Sequence, residues 1–444
     1  MPINFSFRLA VLSCCIGFLA SSNSAVSIAT PQDFQFDENG NNVAYTSCER
    51  HDLTVLCYKE NTVVFRSTIA DFFRENSWSP LNSINPIPGP SFTQLSLHPG
   101  GEFVAFRAVG NGMGSCYSGI FNVKFERPIG LHFGGVKTFE FSPDGKWLIT
   151  SEIGGISLMP FREYPNFRAV LPTESSSYYF SQDCKKLAMC TYIDVPNVKQ
   201  ITEIQIFCLP DEAEVVKQIQ NTAKVELELL KHFRYEGHAK DLRFSPDNKW
   251  LMWKGNGTKP FIARIDLNDA KIQAIEFEDE FEFYGDVCFA GTASDYFIIA
   301  QKSGEVDARY RVNLWKQSMD LESPAEQVFS KPGSCSYPIE INLAGTHALV
   351  AIDIIADVTG GHGHYSEAEA ALLGGSQVFL LELSSLKVVH AFPQNAQNNR
   401  RFKFHPKNSI VVVREGDRFS EYDLAGNPVA KSELTKPPES RTKR

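Results

Sequence analysis

A short pattern of apolar and polar positions recurs along the chain. An aromatic or aliphatic residue, one variable residue and a second apolar residue are followed by a polar turn and a nearly continuous apolar run. The clearest copies are FEFSPDGKWLI at Phe139–Ile149 and LRFSPDNKWLM at Leu242–Met252. Weaker copies begin at Phe34, Leu95, Tyr179 and Phe402, and degenerate copies begin at Cys288 and Glu340. Such an internal repeat indicates a repeat architecture.

Each copy predicts two antiparallel strands joined by a tight turn. Pro at the second turn position presets φ near about −65°, and Asp hydrogen-bonds its own backbone. The fourth turn position requires a positive φ, which Gly and Asn tolerate best. The residues at this position are Gly40, Gly101, Gly145, Cys184, Asn248, Ala293, Gly345 and Asn408. Six of the eight are Gly or Asn, so we expect left-handed backbone there.

The spacing of the repeat predicts the fold class. The residues before the eight turns lie 39 to 64 positions apart, and two more strand-like runs follow each pair of strands. The run after the turn is continuously apolar, which is typical of a strand covered on both faces. We therefore expect an all-β, eight-bladed β-propeller of four-stranded antiparallel blades. Seven blades remain the alternative, because units six and seven have degenerate turns.

The phrases SPDGKWL and SPDNKWL resemble the repeats of TolB-like and WD-repeat-like β-propellers, and the resemblance extends from about residue 30 to residue 434. It implies a fold and no particular activity. None of the five Trp residues is followed by Asp, which departs from true WD repeats. Because the first repeat begins soon after the N-terminal apolar run, we do not expect the α/β domain that precedes the propeller in the Tol-Pal protein, nor the hydrolase domain of prolyl-oligopeptidase relatives.

The N-terminus has the pattern of a signal peptide. Arg8 is followed by the apolar run 9–20 and then by small residues. The run is too short to span a bilayer, which takes about 20 residues. A buried first helix or strand is the other interpretation. We expect a signal peptide at 1–25, a propeller at 26–434 and a disordered basic tail at 435–444. The mature protein would then be periplasmic or secreted, without a transmembrane segment.

The net charge and the absence of several known motifs argue against some classes of function. The net charge of −9 argues against a nucleic-acid partner, because neutralising phosphates requires a basic face. The motifs G-x-S-x-G, G-x-G-x-x-G, H-E-x-x-H and the P-loop are absent from the sequence. The usual serine-hydrolase, nucleotide-binding and zincin sites are therefore not predicted.

The remaining candidate ligand-binding residues lie in long insertions between the predicted strands. Residues 353–375 contain His362 and His364, with Asp357 and Glu367 nearby. Imidazole and carboxylate together suit a divalent transition metal, whereas the simpler interpretation is a Gly-rich surface loop. We predict that these four residues contact a ligand or partner. A Pro-rich loop at Ile69–Ser91 is the next candidate, and Asp211–Thr222 has helical spacing.

Two cysteines predict a disulfide in the first unit. Cys48 ends one predicted strand, Cys57 lies in the next, and polar turn formers separate them. We expect their Cα atoms within about 7 Å, close enough for a bridge.

The sequence favours an exported, non-enzymatic propeller that binds a protein or peptide and needs no cofactor. The alternative is a metal-assisted, lactonase-like hydrolase with its site at the mouth of the propeller channel, and a stoichiometric divalent ion in the purified protein would favour it. A third hypothesis is a secreted effector that acts on host proteins.

Overall fold

Antiparallel sheets follow one another along the chain in the computed structural model. The structure describes residues 34–46, 52–68, 91–109, 116–133, 138–152, 155–161, 169–170, 177–193, 201–222, 225, 227–256, 259–269, 271–277, 282–283, 288–290, 296–304, 310–319, 323, 325–332, 334–335, 339–342, 344–353, 377–385, 387–393, 400–416 and 418–429. Within these residues the strands form eight sheets, which we number in chain order.

The first four sheets each have four strands. Sheet 1 contains β1 (Phe34–Phe36), β2 (Asn42–Thr46), β3 (Asp52–Cys57) and β4 (Thr62–Thr68). Sheet 2 contains β5 (Ser91–Leu97), β6 (Phe103–Val109), β7 (Cys116–Asn122) and β8 (Arg127–Phe133). Sheet 3 contains β9 (Thr138–Phe141), β10 (Trp147–Glu152), β11 (Gly155–Pro160) and β12 (Ala169–Val170). Sheet 4 contains β13 (Ser177–Phe180), β14 (Lys186–Ile193), β15 (Ile201–Cys208) and β16 (Glu228–Glu236), with helix α1 (Glu212–Thr222) between its last two strands.

The later sheets vary in strand number. Sheet 5 contains β17 (His238–Phe244), β18 (Trp250–Asn256), β19 (Pro260–Asp266) and β20 (Ile272–Glu276). Sheet 6 contains β21 (Glu282–Phe283), β22 (Cys288–Ala290), β23 (Tyr296–Gly304), β24 (Tyr310–Ser318) and β25 (Glu326–Pro332). Sheet 7 contains β26 (Ser334–Cys335), β27 (Glu340–Ile341), β28 (His347–Asp353), β29 (Gln377–Glu382) and β30 (Lys387–Pro393). Sheet 8 contains β31 (Arg401–Phe404), β32 (Ile410–Glu415) and β33 (Arg418–Asp423). In sheets 6 and 7 two short strands share the first position.

The sheets are arranged as the blades of a β-propeller, which confirms the predicted fold class. Strands pair in chain order within sheets 1 to 5, and the first strand of a sheet contacts the first strand of the next, as β1 does with β5 and β5 with β9. Clusters of buried apolar side chains fill the spaces between successive sheets. The eight sheets correspond to the eight repeat units, whereas the blade number of the complete ring stays a prediction.

The repeated phrase forms the turn after the first strand. In sheet 3 the Ser142 hydroxyl donates to Asp144 at 2.7 Å and accepts from the Trp147 N–H at 3.0 Å, and Ser181 and Ser245 make the same bond to Asp183 and Asp247. Positive φ is confirmed at six of the eight predicted positions, namely Gly40, Gly101, Gly145, Cys184, Asn248 and Gly345. Ala293 lies outside the described residues. Asn408 is not one of the residues with positive φ. Its N–H donates to Nδ1 of His405, whereas the N–H of Gly145 at the matching position of sheet 3 donates to the Ser142 carbonyl.

Alternating strand direction gives the propeller two ends. Connections from the first to the second strand and from the third to the fourth lie at one end, which we call the turn face. Connections from the second to the third strand, and from one sheet to the next, lie at the other end, which we call the loop face. Helix α1 belongs to the turn face, and it confirms the helix predicted over Asp211–Thr222.

The last sheet packs against the first. Phe34 and Val43 of sheet 1 share an apolar cluster with Val412 and Phe419 of sheet 8. The rings of Phe34 and Phe419 meet edge to face, with centroids 5.7 Å apart. At the turn face, Nε2 of His405 lies 3.3 Å from the Gly40 carbonyl oxygen.

Among the described residues, no helix has the length and apolarity needed to cross a membrane. The predicted signal peptide at 1–25 and the tail at 435–444 lie outside the described residues, so the predicted domain boundaries remain untested.

Candidate functional site

The two long insertions leave the propeller at the same end. The insertion of sheet 7 separates β28 from β29, whose ends are joined by the pair Ile352 and Gln377. The Pro-rich loop joins the end of β4, at Thr68, to the start of β5, at Ser91. Both connections therefore belong to the loop face. The predicted site residues themselves, Asp357, His362, His364 and Glu367, lie outside the described residues, so their contacts remain a prediction.

Of the two cysteines in the predicted disulfide, the structure describes Cys57, which lies at the end of β3. Thr46 pairs with Leu53, whereas Cys57 pairs with Asn42 at the far end of the hairpin. Leu53 and Cys57 are four positions apart on β3, which corresponds to about 13 Å. Cys48 lies outside the described residues. The bridge therefore stays a prediction.

A polar layer replaces the apolar core between sheets 2 and 3 near the loop face. Ala105 and Ile120 of sheet 2 pack against Leu148 and Met159 of sheet 3. Two positions further toward the loop face, the same surfaces carry Arg107 and Ser118 in sheet 2 and Thr150 and Ser157 in sheet 3. Arg107 pairs with Ser118, and Thr150 pairs with Ser157. We call these four residues the sheet 2–3 polar layer.

A second polar region lies between sheets 5 and 6. Lys254 and Arg264, which are 7% and 5% exposed, lie on the face of sheet 5 that packs Met252 and Ile262 against sheet 6. Arg264 donates to Gln273 through Nε and Nη2, and its guanidinium carbon lies 4.2 Å from the centre of the Trp250 ring. This face of sheet 5 therefore carries two buried basic side chains.

Hydrogen bonds connect sheets 4 and 5 at the loop face. The Tyr192 hydroxyl donates to the Ala239 carbonyl at 2.6 Å, and its ring lies 3.8 Å from that of His238. The buried Thr202 hydroxyl donates to the Gly237 carbonyl and accepts from the Ala239 N–H. These bonds fix the positions of the neighbouring strand ends from which the loop-face connections begin.

Two carboxylates lie in the innermost strands. Burial raises the pKa of Glu140, and a hydrogen bond from Tyr178 partly opposes this shift. Burial also raises the pKa of Glu340, whose carboxylate accepts from the Phe404 N–H at 2.9 Å and is attracted to Lys403. Both groups bond to the next sheet, so they connect the first strands of neighbouring sheets.

The turn face is occupied by contacts between neighbouring turns. His98 accepts from the Gly100 N–H at 3.0 Å through Nδ1 and bonds to the backbone of Gly145 in the next sheet. Burial lowers the pKa of His98, of His347 and of His405. In the part of the chain that the structure describes, no group of three His, Cys, Asp or Glu side chains could hold a metal ion.

Sequence reasoning missed the sheet 2–3 polar layer and the buried cations of sheet 5. Their signal was a polar residue at the end of an apolar run, as in FVAFRAV, WLITSE and WLMWKGN. A polar residue at a strand end is ordinarily solvated, so the sequence alone did not distinguish it from a surface position.

No family model matches the chain, and no curated protein matches it. Solved structures with a similar fold include the dihydro-heme d1 dehydrogenase NirN, with a TM-score of 0.51 and 12% identity over 90% of this chain and 74% of that one. A eukaryotic initiation factor has a TM-score of 0.52 and 9% identity, with 89% of this chain and 86% of that one covered. A prolyl endopeptidase has a TM-score of 0.51 and 13% identity, and the match covers 94% of this chain and 59% of that one.

At these identities the similarity shows a shared fold. The matched structures include enzymes, namely the dehydrogenase and the endopeptidase. The fold by itself therefore does not decide between catalysis and binding.

Proposed function

We propose that the protein is an exported β-propeller scaffold that binds a protein or peptide partner at its loop face. One observation carries the proposal: the two long insertions, at residues 69–90 and 354–376, both leave the propeller at that face. Connecting loops on a rigid scaffold are where binding residues concentrate. The turn face is a weaker candidate, because turn-to-turn contacts such as His98 with Gly145 already occupy it.

Export and the finer classification rest on the sequence. Arg8, the apolar run 9–20 and the small residues that follow support a signal peptide. The SPDGKWL phrase supports a TolB-like repeat. The eight sheets of the described residues and the packing of sheet 8 on sheet 1 support a closed ring of eight blades.

Deletion of the sheet 7 insertion tests the proposal. Peptides selected from a displayed random library by the intact protein are synthesised, and their affinity is measured by fluorescence anisotropy. Removing Gly360–Leu373 and closing the gap with a two-residue turn should weaken binding at least about tenfold, because the loop supplies contacts rather than core. The melting temperature should change by less than about 2 °C.

Two further variants give the controls. The exposed turn-face substitution Lys217→Ala should leave peptide affinity unchanged. The double variant His362→Ala/His364→Ala separates the histidines from the rest of the loop. If the deletion leaves affinity unchanged, the proposed binding surface is wrong. A stoichiometric divalent metal ion that is lost from the double variant would favour the metal-assisted hydrolase instead.

A further inference from the structure

Two buried hydroxyl groups lie between sheets 2 and 3. Ser118 is 0% exposed and Thr150 is 2% exposed. Neither Ser118 Oγ nor Thr150 Oγ1 has a hydrogen-bond partner among the residues that the structure describes. Buried polar side-chain atoms are ordinarily hydrogen-bonded, so each such exception requires an explanation.

The strand register places both hydroxyls in the same space. Ser118 lies two residues from Ile120 on β7, and Thr150 lies two residues from Leu148 on β10. Ile120 and Leu148 belong to one buried cluster between sheets 2 and 3. Because side chains two residues apart share a face of a strand, Ser118 and Thr150 also face this inter-sheet space.

The other members of the sheet 2–3 polar layer add hydrogen-bond donors. Arg107 is directly paired with Ser118, and the buried Ser157 is directly paired with Thr150. A guanidinium has five N–H donors, so Arg107 can keep an existing partner and still donate to a second acceptor. One cation and several hydroxyls on facing strands suit a planar anion with a single charge.

The layer lies close to the loop face. Arg107 lies two residues before the end of β6, and Thr150 lies two residues before the end of β10. This depth corresponds to about 7 Å below the strand ends. Arg107 is only half-buried. A short side chain or a chain terminus entering from the loop face could therefore reach it.

We propose that the sheet 2–3 polar layer binds a carboxylate of the peptide partner, either an acidic side chain or a C-terminus. This inference rests on the proposed function and adds the ligand chemistry. Arg107, Ser118 and Thr150 donate to the carboxylate oxygens. The carboxylate of Glu140 is not the one that this layer binds, because it accepts from Tyr178 and lies 3.5 Å from Gln94 Nε2.

Short probes test the carboxylate directly. N-acetyl-Gly-Asp-amide offers a side-chain carboxylate, and N-acetyl-Gly-Gly offers a terminal one. N-acetyl-Gly-Asn-amide and N-acetyl-Gly-Gly-amide are the neutral counterparts, and inorganic phosphate is the competing anion. Titration calorimetry with the full mature chain should show at least one carboxylate probe binding about tenfold more tightly than its neutral counterpart, and the pair that responds identifies the source.

The double variant Ser118→Ala/Thr150→Val separates binding from stability. It should weaken carboxylate binding at least about tenfold. Its melting temperature should stay equal to that of the wild type or rise, because the substitution removes buried hydroxyls that have no partner. The matched control is Ser96→Ala in the same space, whose hydroxyl accepts from the Phe141 N–H at 2.9 Å. This variant should lower the melting temperature and retain binding.

Three outcomes overturn the proposal: equal binding of neutral and charged probes, tighter binding of phosphate, or full carboxylate affinity in the double variant. If library-selected peptides still lose affinity on deletion of Gly360–Leu373, the scaffold function stands while the carboxylate site falls. If the short carboxylates bind but the deletion has no effect on selected peptides, the carboxylate site stands and the loop is not the binding surface.

Discussion

Glycine at the fourth turn position has two separate roles at the residue scale. Its backbone has positive φ, with values of 67° at Gly40 and 73° at Gly145. It also allows close approach of the neighbouring sheet, since a Cβ atom built on Gly145 would lie 2.3 Å from His98 Nε2. The sequence predicted the first role from the turn pattern. The second depends on a residue 47 positions away, which no local pattern indicates.

Substitution at Gly145 should reveal both roles. Gly145→Ala should destabilise the protein by about 2–3 kcal/mol, of which roughly 1 kcal/mol is left-handed backbone strain and the rest is the clash with His98. In a His98→Ala background the cost of Gly145→Ala should fall to about 1 kcal/mol, because the clash is absent. Urea denaturation of the four proteins measures this coupling. Equal costs in both backgrounds would show that His98 does not crowd the turn.

Helix α1 illustrates the element scale. The Glu214 N–H donates to Asp211 Oδ1 at 2.9 Å, which caps the helix at the residue where the sequence predicted its start. The spacing of Val215, Val216 and Ile219 predicted a helix without specifying its buried face. The structure places Val215 in the apolar cluster of sheets 3 and 4 and leaves Val216 40% exposed.

Adjacent valines of α1 provide a matched pair. Val215→Ala should cost about 2 kcal/mol of stability, because it removes two buried methyl groups and leaves a cavity. Val216→Ala should change stability by less than about 0.5 kcal/mol, since helix propensity favours Ala and little apolar area is lost. Chemical denaturation of both variants tests the assignment. Similar effects at the two positions would mean that the helix does not pack through Val215.

At the scale of the whole molecule, the fold brings the last sheet into contact with the first. His405 of sheet 8 lies against Phe36 and Tyr58 of sheet 1, with ring centroids 5.2 and 5.8 Å apart. Its Nδ1 accepts from the N–H groups of Lys407 and Asn408. Protonation of Nδ1 would remove this acceptor, so the packing between sheets 8 and 1 favours neutral His405.

Stability should therefore depend on pH through His405. Burial lowers the folded-state pKa of His405, whereas an unfolded histidine has a pKa of about 6.5. The folded state then binds fewer protons, so the stabilisation is present above about pH 6.5 and is lost as pH falls toward the lower folded-state pKa. The unfolding free energy of wild type should fall more between about pH 7.5 and 5.5 than that of His405→Asn.

The comparison of wild type with His405→Asn isolates the contribution of the His405 side chain. His98, His347, Glu140 and Glu340 also have shifted pKa values, but they are present in both proteins and their contributions cancel in the difference. Parallel pH profiles of the two proteins would show that protonation of His405 does not weaken the packing of sheet 8 on sheet 1.

The repeated turn, the all-β class, the number of repeat units and helix α1 could all be predicted from the amino-acid sequence, because they depend on residues close together in the chain. The sequence did not indicate that the insertions at residues 69–90 and 354–376 leave from strand ends at the same face, since that follows from strand direction across several sheets. Tertiary packing likewise turns Ser118 and Thr150 toward the space between sheets 2 and 3 rather than toward solvent. A strand residue is buried or exposed according to the sheet that covers it, and that sheet is built from a different part of the chain.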